Sequence, residues 1–167
     1  MRVLGIDPGI AIMGFGFVDQ AGHRLVPVQY GCIRTDANVP TEQRLRQIYD
    51  AVCAILDKYR PDAVAVEKLY FKKNVTNAFS VGQARGVLLL AVAQRGIPVG
   101  EYTPMQVKQA VAGYGGAEKR QVQEMVRMFL KLPDVPKPDD VADALAVAIC
   151  HAHSASLTAR LNGGALS

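Results

Sequence analysis

The stretch Ile12-Met13-Gly14-Phe15-Gly16-Phe17-Val18 constrains this chain more than any other. Bulky side chains alternate with glycine at a period of two, which is the period of a strand. Met13, Phe15 and Phe17 therefore share one face, and Gly14 and Gly16 leave the other face bare. A bare face inside a strand marks a place where another backbone comes close. The strand has neighbours on both sides in sequence. Val3 to Asp7 is a short apolar run stopped by Pro8-Gly9, and Leu25 to Ile33 follows an Asp19-Gln20-Ala21-Gly22 turn. Pro27 places the third strand at a sheet edge or a bulge. Three strands in succession joined by short turns predict an antiparallel meander.

After residue 40 the period changes. Thr41 is placed to cap a helix whose apolar stripe is Leu45, Ile48, Val52, Ile55, Leu56 and Tyr59, ended by Arg60-Pro61. Ala63-Val64-Ala65-Val66-Glu67 reads as a buried strand closing on an acid. A long helix from Asn74 or Thr76 to about Gln94 carries Gly82 and Gly86 four apart, and Ile97 to Tyr102 forms the next strand. Thr103-Pro104 is a helix start with proline at its first position, for a short helix to about Ala112. Glycines at 113, 115 and 116 precede a helix over roughly 117 to 131 that faces the core with Val122, Met125, Val126, Phe129 and Leu130. A linker with Pro133, Pro136 and Pro138 leads to a final helix from about Asp139 to near His153.

Helices between the later strands favour parallel addition to the same sheet. The expected architecture is α/β: a mixed five-stranded sheet, meander plus two parallel strands, with helices on both faces. At 167 residues and 18.0 kDa, one domain over 1–153 and a short flexible tail over 154–167 are expected.

Four acids can meet in that arrangement. Asp7 ends the first strand and Glu67 the fourth, while Asp140 and Asp143 are three apart at the start of the last helix, on one face. Unpaired carboxylates in a partly dry crevice repel one another, and hard divalent cations such as Mg²⁺ or Mn²⁺ relieve that repulsion. Two ions about 4 Å apart could clamp a phosphodiester, one activating water and one stabilising the leaving oxygen. Each acid also has a plain structural reading: a turn cap for Asp7 and a helix cap or dipole partner for Asp140. The conjunction favours chemistry. Asp7-Pro8-Gly9 with Gly14 also looks like the phosphate-binding start of actin-like ATPases, but those need a second domain for which this chain is too short.

The charge is uneven. Residues 1–66 hold seven basic and seven acidic side chains, whereas residues 68–131 hold ten basic and three acidic, which suits a polyanion partner as well as an ordinary solvated surface. No apolar run is long enough to span a membrane, and the opening is too short and holds an acid where a secretory signal needs its apolar core. Cys32, Cys53 and Cys150 give neither a zinc motif nor a disulfide framework and read as buried small hydrophobes. A cytoplasmic location is expected.

The chain resembles the RuvC family of Holliday-junction resolvases, which have the ribonuclease H-like fold. The matching segments are Gly5-Ile6-Asp7-Pro8-Gly9 with Gly14, Val66-Glu67 with Tyr70, and Asn74 with Gly82-Gln83-Ala84-Arg85-Gly86. Tyr102-Thr103-Pro104 with Val107-Lys108, then Lys119, then Asp140-Val141-Ala142-Asp143-Ala144-Leu145-Ala146 complete them. The resemblance implies that Asp7, Glu67, Asp140 and Asp143 are catalytic and bind Mg²⁺ or Mn²⁺, two ions per site. Some relatives carry histidine at the position matching Asp140, so this chain has the all-acid version. A homodimer acting on four-way junction DNA is implied, with symmetric nicks, 5′-phosphate and 3′-hydroxyl ends, and a branch-migration motor as partner.

Lys108 and Lys119 match the family's DNA-contacting lysines. Lys68, Lys72, Lys73 and Arg120 are further candidate phosphate contacts or merely solvated charges. Tyr70 matches an aromatic wedge position, and Phe71 is a second candidate for stacking on unpaired junction bases or for closing the core. Gly82 and Gly86 suit a close helix approach, which the resemblance assigns to a two-fold interface. Arg85 supports either that interface or a nearby carboxylate. Two other readings stay open: a different ribonuclease H-like nuclease acting on RNA or other branched DNA, and a junction-binding protein without catalysis.

Overall fold

The computed structural model describes residues 1–68 and 78–155 in full and the backbone of 75–77 and 156–163. Strands β1 (Arg2–Asp7), β2 (Ile12–Ala21) and β3 (Arg24–Arg34) form the expected meander. Helix α1 (Thr41–Tyr59), strand β4 (Ala63–Glu67), helix α2 (Val75–Ala93) and strand β5 (Val99–Tyr102) follow. Three helices close the chain: α3 (Pro104–Ala112), α4 (Lys119–Phe129) and α5 (Asp139–Gly163). The sheet order is β3-β2-β1-β4-β5, with β4 parallel to β1 and β5 parallel to β4. This is the mixed five-stranded arrangement expected from the sequence.

Several boundaries moved for identifiable reasons. β2 runs through Asp19-Gln20-Ala21, because the hairpin needs only Gly22 and His23, and Gly22 takes the left-handed φ of +60°. Within that longer ladder the Asp19 carboxylate receives the Arg2 guanidinium at 2.7 and 2.8 Å. Pro27 lies on edge strand β3, where Phe17 pairs with Gln29 but Val18 with Pro27, leaving Val28 as a bulge. Thr41 is the first helical residue of α1, not its cap. Pro40 occupies the cap position with an extended ψ of 144° and has no polar side chain to offer.

The helix after β5 starts as read: Thr103 accepts from the Gln106 amide at 3.1 Å, and the Gln106 side chain accepts from the Thr103 amide at 2.8 Å. In α4, Phe129 is partly exposed and packs its ring edge-on to His153 instead of entering the core. α5 continues past His153 to Gly163, with the Ser154 hydroxyl donating back to the Cys150 carbonyl at 2.9 Å. Of the three cysteines, only Cys150 is fully buried, and Cys32 and Cys53 are partly so.

Two cores flank the sheet. On one face Leu4, Ile6, Met13, Phe17, Val64 and Val66 pack against Ile48, Val52 and Leu56 of α1 and Ala84, Leu88 and Ala91 of α2. On the other, Val3, Val18 and Ala65 pack against α3, α4 and α5. The second face contains the glycines. Gly5 pairs with Gly16, and Asp7 with Gly14. A Cβ on Gly5 would overlap the Ala144 carbonyl, one on Gly14 the Asp140 carbonyl, and one on Gly16 the Leu145 side chain. The bare strand face is therefore the trough in which α5 lies. Among the described residues, no helix is long and apolar enough to cross a membrane.

Candidate active site

The trough fixes where the acids go. Ile6 pairs with Val66 in parallel register, so Asp7 and Glu67 end adjacent strands at the same edge. Side chains alternate along a strand, which puts Asp7 and Glu67 on the face of Gly5 and Ala65, beneath α5. The first turn of α5 begins at that edge, with the Asp140 backbone seated against Gly14, the pairing partner of Asp7. Asp143 follows one turn later on the same side.

The charges of Asp143, Asp140 and Glu67 all bear on Asp7, and that of Asp143 bears on Glu67. Burial, followed by the charges of Asp143, Asp140 and Glu67, pushes Asp7 up to about 7. Burial and then Asp143 raise Glu67, against the opposing charges of Lys108 and Lys119. Burial also raises Asp143, although the Lys119 hydrogen bond works the other way. Acids that share a crevice with too little positive charge behave in this manner.

Lys119 is the cation nearest to hand. Its ammonium donates to Asp143 Oδ2 at 3.0 Å and lies 3.4 Å from Asp139 Oδ2, while Lys137 reaches Asp139 Oδ1 at 2.9 Å. Burial alone would lower the Lys119 pKa, but the bond and charge of Asp143, helped by Asp139, leave it raised. Glu67, Lys108, Lys119 and Asp143 together line an open cleft of about 260 Å³ between α3, α4 and α5. Carboxylates and two lysines around one cleft can hold a phosphate between fixed positive charges and hard oxygen ligands.

The donor set fits a hard divalent cation, since it is all oxygen and its self-repulsion is what such an ion relieves. The closest packing needed for that is not present in this arrangement: among the described residues, no three acidic, histidine or cysteine side chains stand close enough to share one ion. The Lys119 ammonium instead holds Asp143.

Of the other sequence candidates, Lys68 is exposed just beyond β4, its backbone amide donating to the Tyr102 carbonyl at 2.7 Å. Arg120 is exposed beside Lys119. Tyr70, Phe71, Lys72 and Lys73 lie outside the described residues. Two histidines of α5 are engaged elsewhere: His151 Nδ1 is 2.9 Å from the Tyr102 hydroxyl, and His153 Nδ1 is 3.2 Å from the Ala110 carbonyl. Asp139 gains a place at the site that the sequence did not give it, and Arg85, read as supporting an interface or a nearby carboxylate, meets the Glu101 carboxylate at 3.0 Å. Asp139 is the second partner of Lys119, and Arg85 donates to the Glu67 carbonyl at 3.0 Å.

Residues 3–151 match the family model described as crossover junction endodeoxyribonuclease RuvC. The chain belongs to the RuvC family. It is 65% identical over 152 residues to the RuvC crossover junction endodeoxyribonuclease of Brevibacillus brevis, covering 91% of this chain and 92% of that one. Its identity to the Desulfitobacterium hafniense RuvC is 60% over 166 residues, 99% and 100% of the two chains. Among solved structures, Thermus thermophilus RuvC in complex with a Holliday junction substrate superposes with a TM-score of 0.90 at 41% identity, over 95% of this chain and 96% of that one. A yeast mitochondrial Holliday junction resolvase, 15% identical with a TM-score of 0.71 over 96% and 82% of the two chains, shares the fold. The Brevibacillus and Desulfitobacterium relatives are both named crossover junction endodeoxyribonucleases.

Proposed function

We propose that this chain resolves four-way DNA junctions by hydrolysing one phosphodiester in each of two opposing strands. The observation that carries this reading is the convergence of Asp7, Glu67, Asp140 and Asp143, from three elements, at one sheet edge beside Lys108 and Lys119. The Thermus relative, of the same fold and 41% identity, is named in complex with such a junction, which supports the substrate. Ala152 is the last buried core residue described, which supports residues 1–153 as the catalytic unit.

In the proposed reaction a water oxygen attacks phosphorus in line with the bond to O3′. The P–O3′ bond breaks, O3′ takes up a proton, and the phosphate stays on the 5′ end of the next nucleotide. Asp7, Glu67, Asp140 and Asp143 would hold Mg²⁺ or Mn²⁺. When bound, such ions, two per site, lower the pKa of the attacking water and offset charge on the phosphorus oxygens. Lys108 and Lys119, which line the same cleft as Glu67, hold the non-bridging oxygens of the scissile group. Lys119 exchanges its bond to Asp143 for one to phosphate, and Asp139 retains the ammonium within reach. Lys68, Lys72, Lys73 and Arg120 carry flanking phosphates, and Tyr70 and Phe71 meet unpaired bases at the crossover.

Symmetric cutting needs two sites at a fixed spacing, hence a homodimer. The outer face of α2 is suited to it. Phe79 and Leu90 are 69% and 54% exposed, and at Gly82 and Gly86 an added Cβ would meet nothing within 4 Å. A second copy of that face can approach closely between the two aromatic and aliphatic flanks. A branch-migration motor as partner rests on the family resemblance alone.

The test is a synthetic mobile four-way junction, incubated with and without Mn²⁺ beside linear duplex and RNA–DNA hybrid controls. Paired, ligatable nicks in the junction alone, dependent on the ion, are expected. Preferential cutting of the hybrid would make the chain another kind of nuclease, and tight junction binding without cutting in any metal would make it a binding protein.

A further inference from the structure

Glu67 is placed by the end of β4, and something must hold that end. The Lys68 amide donates to the Tyr102 carbonyl at 2.7 Å, so the backbone groups of Glu67, one residue earlier, face β1 and not β5. On that side Ile6 pairs with Val66, and the next ladder amide would come from Pro8, which has no N–H for the Glu67 carbonyl to accept. The ladder therefore runs out at the residue whose side chain matters.

Arg85 fills the gap from the opposite face of the sheet. Its side chain is only 12% exposed, and its Nη1 donates to the Glu67 carbonyl at 3.0 Å. Its Nη2 lies 3.0 Å from Glu101 Oε1. Glu101 pairs with Val66 across the β4–β5 ladder, so one guanidinium spans the last turn of both strands. The plane of that group fixes two directions at once, which a lysine ammonium does not. Ala84 and Leu88, buried on either side of Arg85 in α2, anchor the helix from which it reaches.

We infer that Arg85, held by Glu101, is a positioning residue for Glu67: it clamps the carbonyl of that residue so that the carboxylate on the far side points into the cleft. The inference rests on the assignment of Glu67 as a metal ligand. Partners one bond removed from a ligand tune affinity as well as rate, and their loss costs about 10–100-fold in either. A clamp that merely stabilised the sheet would lower the melting temperature and leave ion affinity alone.

The experiment is a Mn²⁺ titration of the free full-length protein by calorimetry, with junction affinity measured in Ca²⁺ and single-turnover cleavage in Mn²⁺. Arg85→Lys should weaken Mn²⁺ binding and slow cleavage, each by about 10–100-fold, with junction affinity within about twofold of wild type. Glu101→Gln keeps Arg85 and frees one of its two tethers. It should show the same pattern to a smaller degree, and it decides the matter if Arg85→Lys does not fold. Wild-type Mn²⁺ affinity in a folded Arg85→Lys protein, or in Glu101→Gln when that is the only folded variant, overturns the inference. Glu67→Gln separates the two layers. If it loses Mn²⁺ binding while the clamp variants keep it, only the positioning role fails; if it binds and cuts normally, the ligand assignment fails and the clamp has nothing to position.

Discussion

Asp7→Asn should make the metal-free protein more stable at pH 8 while abolishing cleavage. The folded chain holds the Asp7 carboxyl at about 7, against an ordinary value of 3.8, through burial and three neighbouring acids. Between those two values the unfolded chain has lost the Asp7 proton and the folded chain keeps it. The folded state then binds more protons, so stability falls as pH rises through this window. The loss is complete above about pH 7 and absent below about pH 4. About three units at 1.36 kcal/mol each give about 4 kcal/mol as an upper bound, and partial contact with water brings the expected figure to about 2–4 kcal/mol. An amide of nearly the same shape carries no charge to desolvate. Urea denaturation in EDTA should show Asp7→Asn ahead of wild type by that amount at pH 8 and by about 1 kcal/mol or less at pH 4.5. Mn²⁺ at about a thousand times Kd should cancel or reverse that lead, because only wild type gains ligand stabilisation, about 4.1 kcal/mol. A less stable Asp7→Asn protein at pH 8, or a gain that does not change with pH, would refute the like-charge cluster.

Three other outcomes follow from the same geometry. Lys119→Ala removes the ammonium from Asp143 and Asp139; both its partners are solvent-accessible, so thermal melts should move by less than about 1 kcal/mol while single-turnover cleavage falls by about 10²–10³-fold. Lys108→Ala should weaken binding of all junction sequences alike and reduce the log–log salt slope of binding by about one, measured by fluorescence anisotropy across a salt series. Gly5→Ala drives a methyl group into the Ala144 carbonyl and must lift α5 from its trough, so denaturation should show a loss of about 3 kcal/mol and cleavage should fall with it as Asp143 leaves Asp7.

The sheet and its acids could be read in the chain because each leaves a local mark. Gly14 and Gly16 alternating with Phe15 and Phe17 announced a bare strand face, and that face receives α5. Asp7 and Glu67 end apolar strand runs, and strand ends in register need no further information to become neighbours. Lys108 and Lys119 come to one cleft because α3 and α4 both start beside that edge. What the sequence withheld depends on partners without a residue-specific mark. Arg85 binds a backbone carbonyl, and any residue at position 67 would present one. Asp139 resembled a helix-start acid like its neighbour, and only the fold shows it sharing Lys119 with Asp143. The length of α5 was hidden too. Ser154 has a polar side chain that reads as a stop, but it bonds back to Cys150 within the helix and the chain continues as helix to Gly163.

The most direct measurement is anomalous diffraction at the manganese edge from crystals of this protein soaked in Mn²⁺. The account predicts manganese peaks bounded by Asp7, Glu67, Asp140 and Asp143, with the Lys119 ammonium withdrawn from Asp143. Manganese bound elsewhere, or an intact Lys119–Asp143 pair with no peak among the four acids at ion concentrations that support cleavage, would contradict it.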